Sequence, residues 1–463
     1  MFNRWVSFFL FALFVSFFGQ VYLPPSFTSD LKLKLSWNRV AKTEIDSTDP
    51  KSFVLNQNQN QHLGHQQQTL NNSMQSPNMP SIQSFLQVSR KLFANSLSSL
   101  SKITLVSGNQ SCDLDSVVSA ISYSFLHHLA LQSNANTTVT SALDKTHIIL
   151  PLLNIPQEDL HLRRDIEYVL AQAEIDSSSL LFLTDLAPLI ANDKVQVELV
   201  LVDHNSVQGD ILLTQVVPKP NVHVTGIIDH HEDEGEHLNA NPRTIEKCGS
   251  CSSLVLKHFE KQVIATDPGL KKARFFSSAI LADTSNLTSK VEPKDIEVVK
   301  FLQNLAPKFT DEVVADYYKR VHKEKKNIKG FTVIDILRKD YKEYTFGKYR
   351  VGISSLVKPV EYINEHYEHD DVVASLKKHQ QERLLDMVVL MCSYHLDGVY
   401  TRQLSFFGND KLGYACHTAL KDQLQLDHFE TKTSNVFNTF KQGNVQASRK
   451  QVAPLLKNFI ETL

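Results

Sequence analysis

The sequence predicts an α/β protein: a doubly wound parallel-sheet domain, then a smaller mixed α+β domain, with an active site in the cleft between them. Three observations predict this. Short, nearly continuous apolar runs recur at 102–107 (KITLVS), 147–153, 197–202 (VELVLV) and 222–228 (VHVTGII), as expected of strands buried on both faces. Helical stretches at 115–131, 158–173, 251–263 and 268–283 alternate with them, the order of βαβ units. Asp and His residues gather directly behind the apolar runs, where sheets of this kind hold ligands.

Taken in order, the 463 residues suit two domains plus an appendage. The first segment, 1–23, reads as a hydrophobic leader or signal anchor. Its apolar stretch runs from Trp5 to Phe18 and trails to Leu23 before Pro24-Pro25, longer than a usual signal-peptide core and at the short limit of a span. Lys32, Lys34, Arg39 and Lys42 follow it and favour a cytoplasmic body, tethered to the membrane through residues 5–23. Residues 24–84 form a Gln/Asn-rich linker (NQNQNQHLGHQQQ) too polar to support a core. A start at Met74 or Met79 would yield the catalytic part without its leader.

Helical spacing of Ile82, Phe85, Leu86, Leu92, Phe93 and Leu97 opens the globular part. Its first domain is expected over 85–305. Helices at 293–305 and 310–326 lead into the basic stretch 319–329, and a hinge is placed within 305–330. The second domain, 325–463, carries strand-like runs at 331–336, 349–356, 387–392 and 400–407 and a closing helix at 452–462.

The total charge is −2, yet it divides unevenly: 24 Lys and Arg against 30 Asp and Glu up to residue 300, and 24 against 20 beyond it. An acidic front and a basic back suit metal ions meeting a polyanion. The near-neutral sum argues against a nucleic-acid coat protein. Five cysteines do not make a disulfide framework, and Cys248-Gly-Ser-Cys251 has no second CxxC to complete a zinc site.

The chemistry sits where elements end. Behind the first run stand Asn109, Asp113 and Asp115; behind the third, Asp203 and His204; behind the fourth, Asp229, His230 and His231; and Asp283 closes an apolar helix. Asp113 alone reads equally well as a helix cap. Four such sets converging on one crevice would repel each other unless cations held them. Carboxylates with imidazole and no thiolate suit Mg²⁺, Mn²⁺ or Co²⁺. A carboxylate bridging two metals about 3.5–4 Å apart holds a hydroxide for in-line attack on phosphorus, so the residues point to a binuclear phosphohydrolase. Lys342, Arg449 and Lys450 in the basic half supply groups for phosphate.

Together these residues resemble the DHH phosphoesterase superfamily, whose name is the motif Asp229-His230-His231. The yeast-type exopolyphosphatases are the most similar branch, related to family II inorganic pyrophosphatases and prune-type proteins. The stretches carrying the resemblance are GNQSCDLDSVVSAISYS (108–124), LPLLNIPQEDLHLRRDIEYVL (150–170), GIIDHH (226–231), GSCSSLV (249–255), LADTSNL (281–287), IKGFTVIDILRKDYKEY (328–344) and ASRKQVAP (447–454). The resemblance implies one metal on Asp113 and Asp203 and another on Asp115, Asp203, His230 and Asp283, with Asp203 bridging. It puts His231, Lys342, Arg449 and Lys450 on the substrate phosphates. Asp203, His231, Lys342 and Arg449 are then the catalytic set. Asp229, His204 and Asn109 stand behind them. Family II pyrophosphatases have His where this chain has Asn109; losing an imidazole tilts the preference toward Mg²⁺.

The expected reaction is metal-dependent removal of the terminal phosphate of linear inorganic polyphosphate, without nucleic acid and as a monomer. Inorganic pyrophosphatase and prune-type nucleotide phosphodiesterase are the alternatives, and a non-catalytic interaction protein on the same fold is the alternative of another class. A RecJ-type nuclease would need a GGGH-type motif that residues 330–463 lack. Sequons begin at Asn71, Asn109, Asn136 and Asn286; glycans at Asn109 and Asn286 would block the metal motifs, which again favours the cytoplasm over the secretory lumen, with a mitochondrion as a further alternative.

Overall fold

Why the apolar runs become strands is visible in how their residues divide. A computed structural model describes residues 80–135, 146–428 and 438–463; the leader, the linker up to residue 79 and the sequons at Asn71 and Asn136 lie outside the described residues. Val106, Val200, Val202 and Ile228 enter one apolar cluster, while Ile103, Leu105, Leu199, Leu201 and Ile227 enter another. Side chains alternate between the faces of a strand, so both faces of this sheet are covered.

Its strands are β1 (Lys102–Ser107), β2 (His147–Leu153), β3 (Leu181–Phe182), β4 (Gln196–Val202), β5 (Val222–Asp229) and β6 (Arg243–Ile245). All pairings are parallel and the order is β3-β2-β1-β4-β5-β6. The four predicted strands are present. The two edge strands are too short to show a period in sequence. The chain winds outward from β1 on one side and from β4 on the other, which opens a crevice beyond the carboxyl ends of those two strands.

The helix Leu114–Ala135 follows β1 and packs on β2, on Cys251–His258 and on Leu270–Asp283. Gly108 permits its approach: a Cβ there would lie 2.6 Å from Ser116 Cβ. Two predicted helices are divided. Residues 158–173 form a 3₁₀ segment, Gln157–Leu162, then a helix, Arg164–Gln172; residues 251–263 form Cys251–His258 and Glu260–Ala265. The helix Ile82–Ser96 begins inside the stretch assigned to the linker, with Ser81 as its cap.

The second sheet comprises β7 (Tyr341–Phe346), β8 (Tyr349–Leu356), β9 (Met387–Leu396), β10 (Val399–Gly408), β11 (Leu426–His428) and β12 (Asn438–Gln442), in the order β11-β12-β10-β9-β8-β7. Only β8 and β9 pair in parallel, so the sheet is mixed. Apolar clusters again lie on both faces.

One expectation is corrected here. Residues 331–336 are not a strand: Thr332 and Asp335 form a capping box that starts the helix Val333–Lys339. Two reciprocal side-chain-to-backbone bonds at a helix start outweigh the β-branched character of TVIDI. Lys342 therefore lies on the first strand of this sheet rather than behind it. The strand also clasps the turn after β1, since Gln110 donates to the Glu343 carbonyl (3.1 Å) and accepts from its amide (3.2 Å). Among the described residues no helix is long and apolar enough to cross a membrane.

Candidate active site

The acidic groups meet at the mouth of the crevice. Asp203 follows β4 in the left-handed region, at φ 63°, a conformation Asp tolerates better than most residues. Its Oδ2 accepts from Asn109 Nδ2 and Ser116 Oγ, both at 2.7 Å, and His230 Nε2 lies 3.3 Å from Oδ1. Burial first, then the Asp115 and Asp113 carboxylates, push the pKa of Asp203 up to about 8. Burial, with those same two carboxylates against it, raises Asp283 to about 7 despite Lys325. Carboxylates that hinder each other's ionisation are a site that asks for a cation.

Asn109 is held in one orientation. Its Oδ1 accepts from the Ser111 amide and hydroxyl at 2.9 and 2.7 Å, which turns its amide hydrogens toward Asp203. The residue therefore steers Asp203 and presents no free oxygen to a metal. Asp113 fulfils both of its readings. Its Oδ1 caps the helix by accepting from the Ser116 amide (3.1 Å), and although burial opposes its charge, Lys325, that amide, Lys342 and Lys450 hold its pKa low.

Asp115 is clamped by the start of the helix Cys251–His258. Ser250 Oγ, Ser252 N and Ser252 Oγ donate to Oδ1 at 2.7–2.9 Å, and Cys251 N donates to Oδ2 at 2.7 Å. The same loop fixes His230, whose Nδ1 is 2.9 Å from the Cys248 carbonyl. That leaves Nε2 facing Asp203 and, at 3.9 Å, Asp115, the arrangement of an imidazole ligand with its outer nitrogen tethered. Burial works against the His230 charge, yet Asp203 and then Asp115 raise its pKa to about 9. Donor atoms of Asp203, His230 and His231 lie within 4.8 Å of one another.

Asp229 has no solvent exposure. It accepts from the His230 amide and Asn205 Nδ2, and lies 2.7 Å from His231 Nδ1. Against burial, these partners keep its carboxyl far below the usual range, so it orients the two histidines as a permanent anion. His204 is buried, with Nδ1 2.9 Å from the Val202 carbonyl and Nε2 without a partner; burial lowers its pKa to about 4.

The basic groups arrive from the second sheet. Lys450 Nζ is 3.2 Å from His230 Nε2. Lys342, placed on β7, is 3.4 Å from Gln208, and burial, then Arg449, lowers its pKa to about 8. Arg449 is braced by Asp340, with Nη2 2.6 Å from Oδ1. One cation escaped the reading of the sequence: Lys325, whose Nζ is 3.6 Å from Asp283 Oδ1. It was hidden in a basic stretch that reads as solvated surface.

A second residue missed in sequence is Asp295. It has no solvent exposure and accepts from Cys248 Sγ, Gly249 N, Ser253 Oγ and Glu292 N at 2.6–3.1 Å. It thereby locks the loop that presents donors to Asp115 and a carbonyl to His230. A Cβ on Gly249 would lie 2.6 Å from its Oδ2. Cys248 and Cys251 serve this loop as buried free thiols, the latter bonded to the Ile228 carbonyl; among the described residues they form no disulfide or metal group. We expect Asp295→Asn to weaken Mn²⁺ binding by about 10–100-fold, as loss of support behind metal ligands does. Calorimetric titration of the folded variant checks this, and an unchanged Mn²⁺ affinity would refute the role.

A doubly wound acidic crevice faced by cations from a mixed second sheet defines a hydrolase of phosphoric anhydrides with a site for divalent metal. Residues 103–282 match the DHH family, N-terminal domain, and residues 319–459 match the DHHA2 domain. A protein of Schizosaccharomyces pombe, provisionally named an exopolyphosphatase, is 32% identical over 80% of this chain and 94% of its own. The human protein named exopolyphosphatase PRUNE1 is 28% identical over 76% of this chain and 74% of its own. A protein of Methanothrix thermoacetophila named manganese-dependent inorganic pyrophosphatase is 25% identical over 62% and 79%. The chain belongs to the DHH family.

Proposed function

We propose that the chain is an exopolyphosphatase, which removes the terminal phosphate of linear inorganic polyphosphate and releases orthophosphate. The orientation of Asn109 carries this reading. With its oxygen bound to Ser111, the first metal position is left with the carboxylates of Asp113 and Asp203 and no imidazole, a hard oxygen set that favours Mg²⁺ over Mn²⁺ or Co²⁺. The relative provisionally named an exopolyphosphatase supports the same branch.

Asp113, Asp115, Asp203, His230 and Asp283 would hold two divalent cations. When bound, these ions supply Lewis acidity to the phosphoryl oxygens and acidify water. The chain's own groups bind and orient the substrate. Lys450, Lys342 and Arg449 neutralise oxygens of the terminal units, Arg449 with its guanidinium fixed by Asp340. His231 gives its Nδ1 hydrogen to Asp229 and burial lowers its pKa, so its Nε2 is an acceptor; it would take a proton from water and pass that proton to the departing chain. Such preset groups cost no reorganisation as charge shifts to the departing chain. We place this catalytic body in the cytoplasm, because Asn109, a sequon residue, is buried behind Asp203 where a glycan would destroy the site.

The test is a competition between substrates. With Mg²⁺, the full chain should release orthophosphate from long-chain polyphosphate with kcat/KM at least about tenfold above that for pyrophosphate, a margin of ~1.4 kcal/mol in transition-state binding, and should not cleave a short RNA. A preference for pyrophosphate or for a nucleotide would overturn the assignment. Metal binding without turnover of any substrate would make the chain an interaction protein.

A further inference from the structure

The segment that joins the helix Asp311–Lys325 to the helix Val333–Lys339 borders a surface groove of about 490 Å³, a size ordinary for ligand sites. Lys326, Lys329, Lys358 and His366 line it beside Phe331 and Tyr362, and no Asp or Glu is among its lining residues. Burial, then the nearby Lys358, lowers the pKa of Lys326, as expected of two cations on one groove wall. Of the neighbouring acids, Glu324 is engaged with Asn327 at 3.0 Å, and Asp335, which lies near Tyr367 of the groove wall, is engaged with Thr332. Cations gathered in a concave wall focus a positive field outward.

We propose that this groove is a second, non-catalytic binding site for condensed phosphate. The aromatic walls narrow the class of ligand. Tyr362 is stacked on His366 with centroids 3.9 Å apart, and Lys358 Nζ lies 5.3 Å from its ring centre. Phe331 carries the Arg164 guanidinium 4.7 Å from its centre and the edge of His161. Faces so occupied leave Tyr362 and Phe331 little room to stack a nucleobase, and the Tyr367 hydroxyl is tied to the Phe331 carbonyl, whereas a chain of phosphates needs only the ammonium groups. The groove begins at the residue after Lys325, which pairs with Asp283 in the catalytic crevice, so an anion held there sits on the connection between the two sheets. The proposal extends the polyphosphate reading to chains longer than the crevice holds, and binding at this groove can be measured whether or not turnover occurs.

The experiment uses the full chain carrying Asp203→Asn, without divalent metal, so that binding is read free of hydrolysis. Long-chain polyphosphate should bind, and the added pair Lys326→Ala and Lys358→Ala should weaken it by roughly tenfold at low salt, an effect that shrinks as salt screens the charges. In the otherwise native enzyme the same pair should raise KM for long chains and leave kcat for tripolyphosphate unchanged. Lys329→Glu, at an exposed position, gives a second reading if the double variant folds poorly. Unchanged polyphosphate binding in both variants would overturn the site. ATP bound at the groove more tightly than tripolyphosphate would overturn the ligand class. Should native enzyme prefer pyrophosphate while the groove still binds polyphosphate, the catalytic assignment fails and the groove stands.

Discussion

Asp203→Asn is expected to lower kcat by more than about 10³-fold with either Mg²⁺ or Mn²⁺, beyond the loss typical of a single transition-state donor, while the metal-free protein unfolds at a higher temperature than the native sequence. The two effects share one cause. Asp203 is buried beside two carboxylates that raise its pKa to about 8, so its charge suits a cation and burdens the fold without one. Asparagine preserves the local bonds: its oxygen accepts from Asn109 and Ser116, and its amide donates to His230 Nε2, whose Nδ1 hydrogen is given to the Cys248 carbonyl. Repulsion from Asp115 and Asp113 disappears, and the attraction between Asp203 and His230 goes with it, so the gain in stability is the difference between the two. Each kcal/mol gained should raise the midpoint by about 1 °C, the usual exchange of stability for function. Retained turnover would remove Asp203 from the bridging role, and a lowered metal-free midpoint would show that its charge is not under strain.

The parallel sheet was legible because buried strands leave nearly pure apolar runs, and the acidic ligands because they follow those runs directly. What stayed hidden depends on partners far along the chain. Asp295 stands in an ordinary helix start; only the fold brings Cys248, Gly249 and Ser253 to it. Lys325 is one of several lysines on its helix, and the packing of that helix on Leu270–Asp283 singles it out for Asp283. The misread stretch 331–336 is different in kind. Its signal, Thr332 with Asp335 three residues on, was present in the sequence and is a helix start; the β-branched residues around it gave the opposite impression. Asn109 illustrates a third limit. Its substitution for histidine was visible, but its orientation is set by Ser111, so its role as a donor to Asp203 needed coordinates. The uneven charge also acquires a place: Asp113, Asp115, Asp203 and Asp283 stand in the acidic part, and Lys325, Lys342, Arg449 and Lys450 in the basic part face them.

Removal of divalent metal should abolish turnover, a loss of more than about 10³-fold, and should also tilt stability against pH. In the metal-free protein three groups have folded pKa values above their ordinary ones: Asp203 at about 8, Asp283 at about 7 and His230 at about 9, from 3.8, 3.8 and 6.5. Between those limits the folded chain binds more protons than the unfolded chain, so stability falls as pH rises. Their contribution is complete below about pH 4 for the acids and about 6.5 for His230, and it is lost as pH climbs through 7 to 9. Metal ions take the place of the protons. Mn²⁺ uptake at pH 6.5 should therefore release about two to three protons, and metal affinity should strengthen toward pH 8. Unfolding midpoints from pH 6 to 9 in chelator should fall more steeply than in saturating Mn²⁺, and calorimetry in buffers of different ionisation enthalpy should count the protons. A chelated midpoint that rises across this range, or metal uptake with no proton release, would mean that the carboxylates are already ionised and paired within the protein. The basic residues facing the crevice would then neutralise Asp203 and Asp283 before any cation arrives, and no mutual repulsion would be left for a metal to relieve.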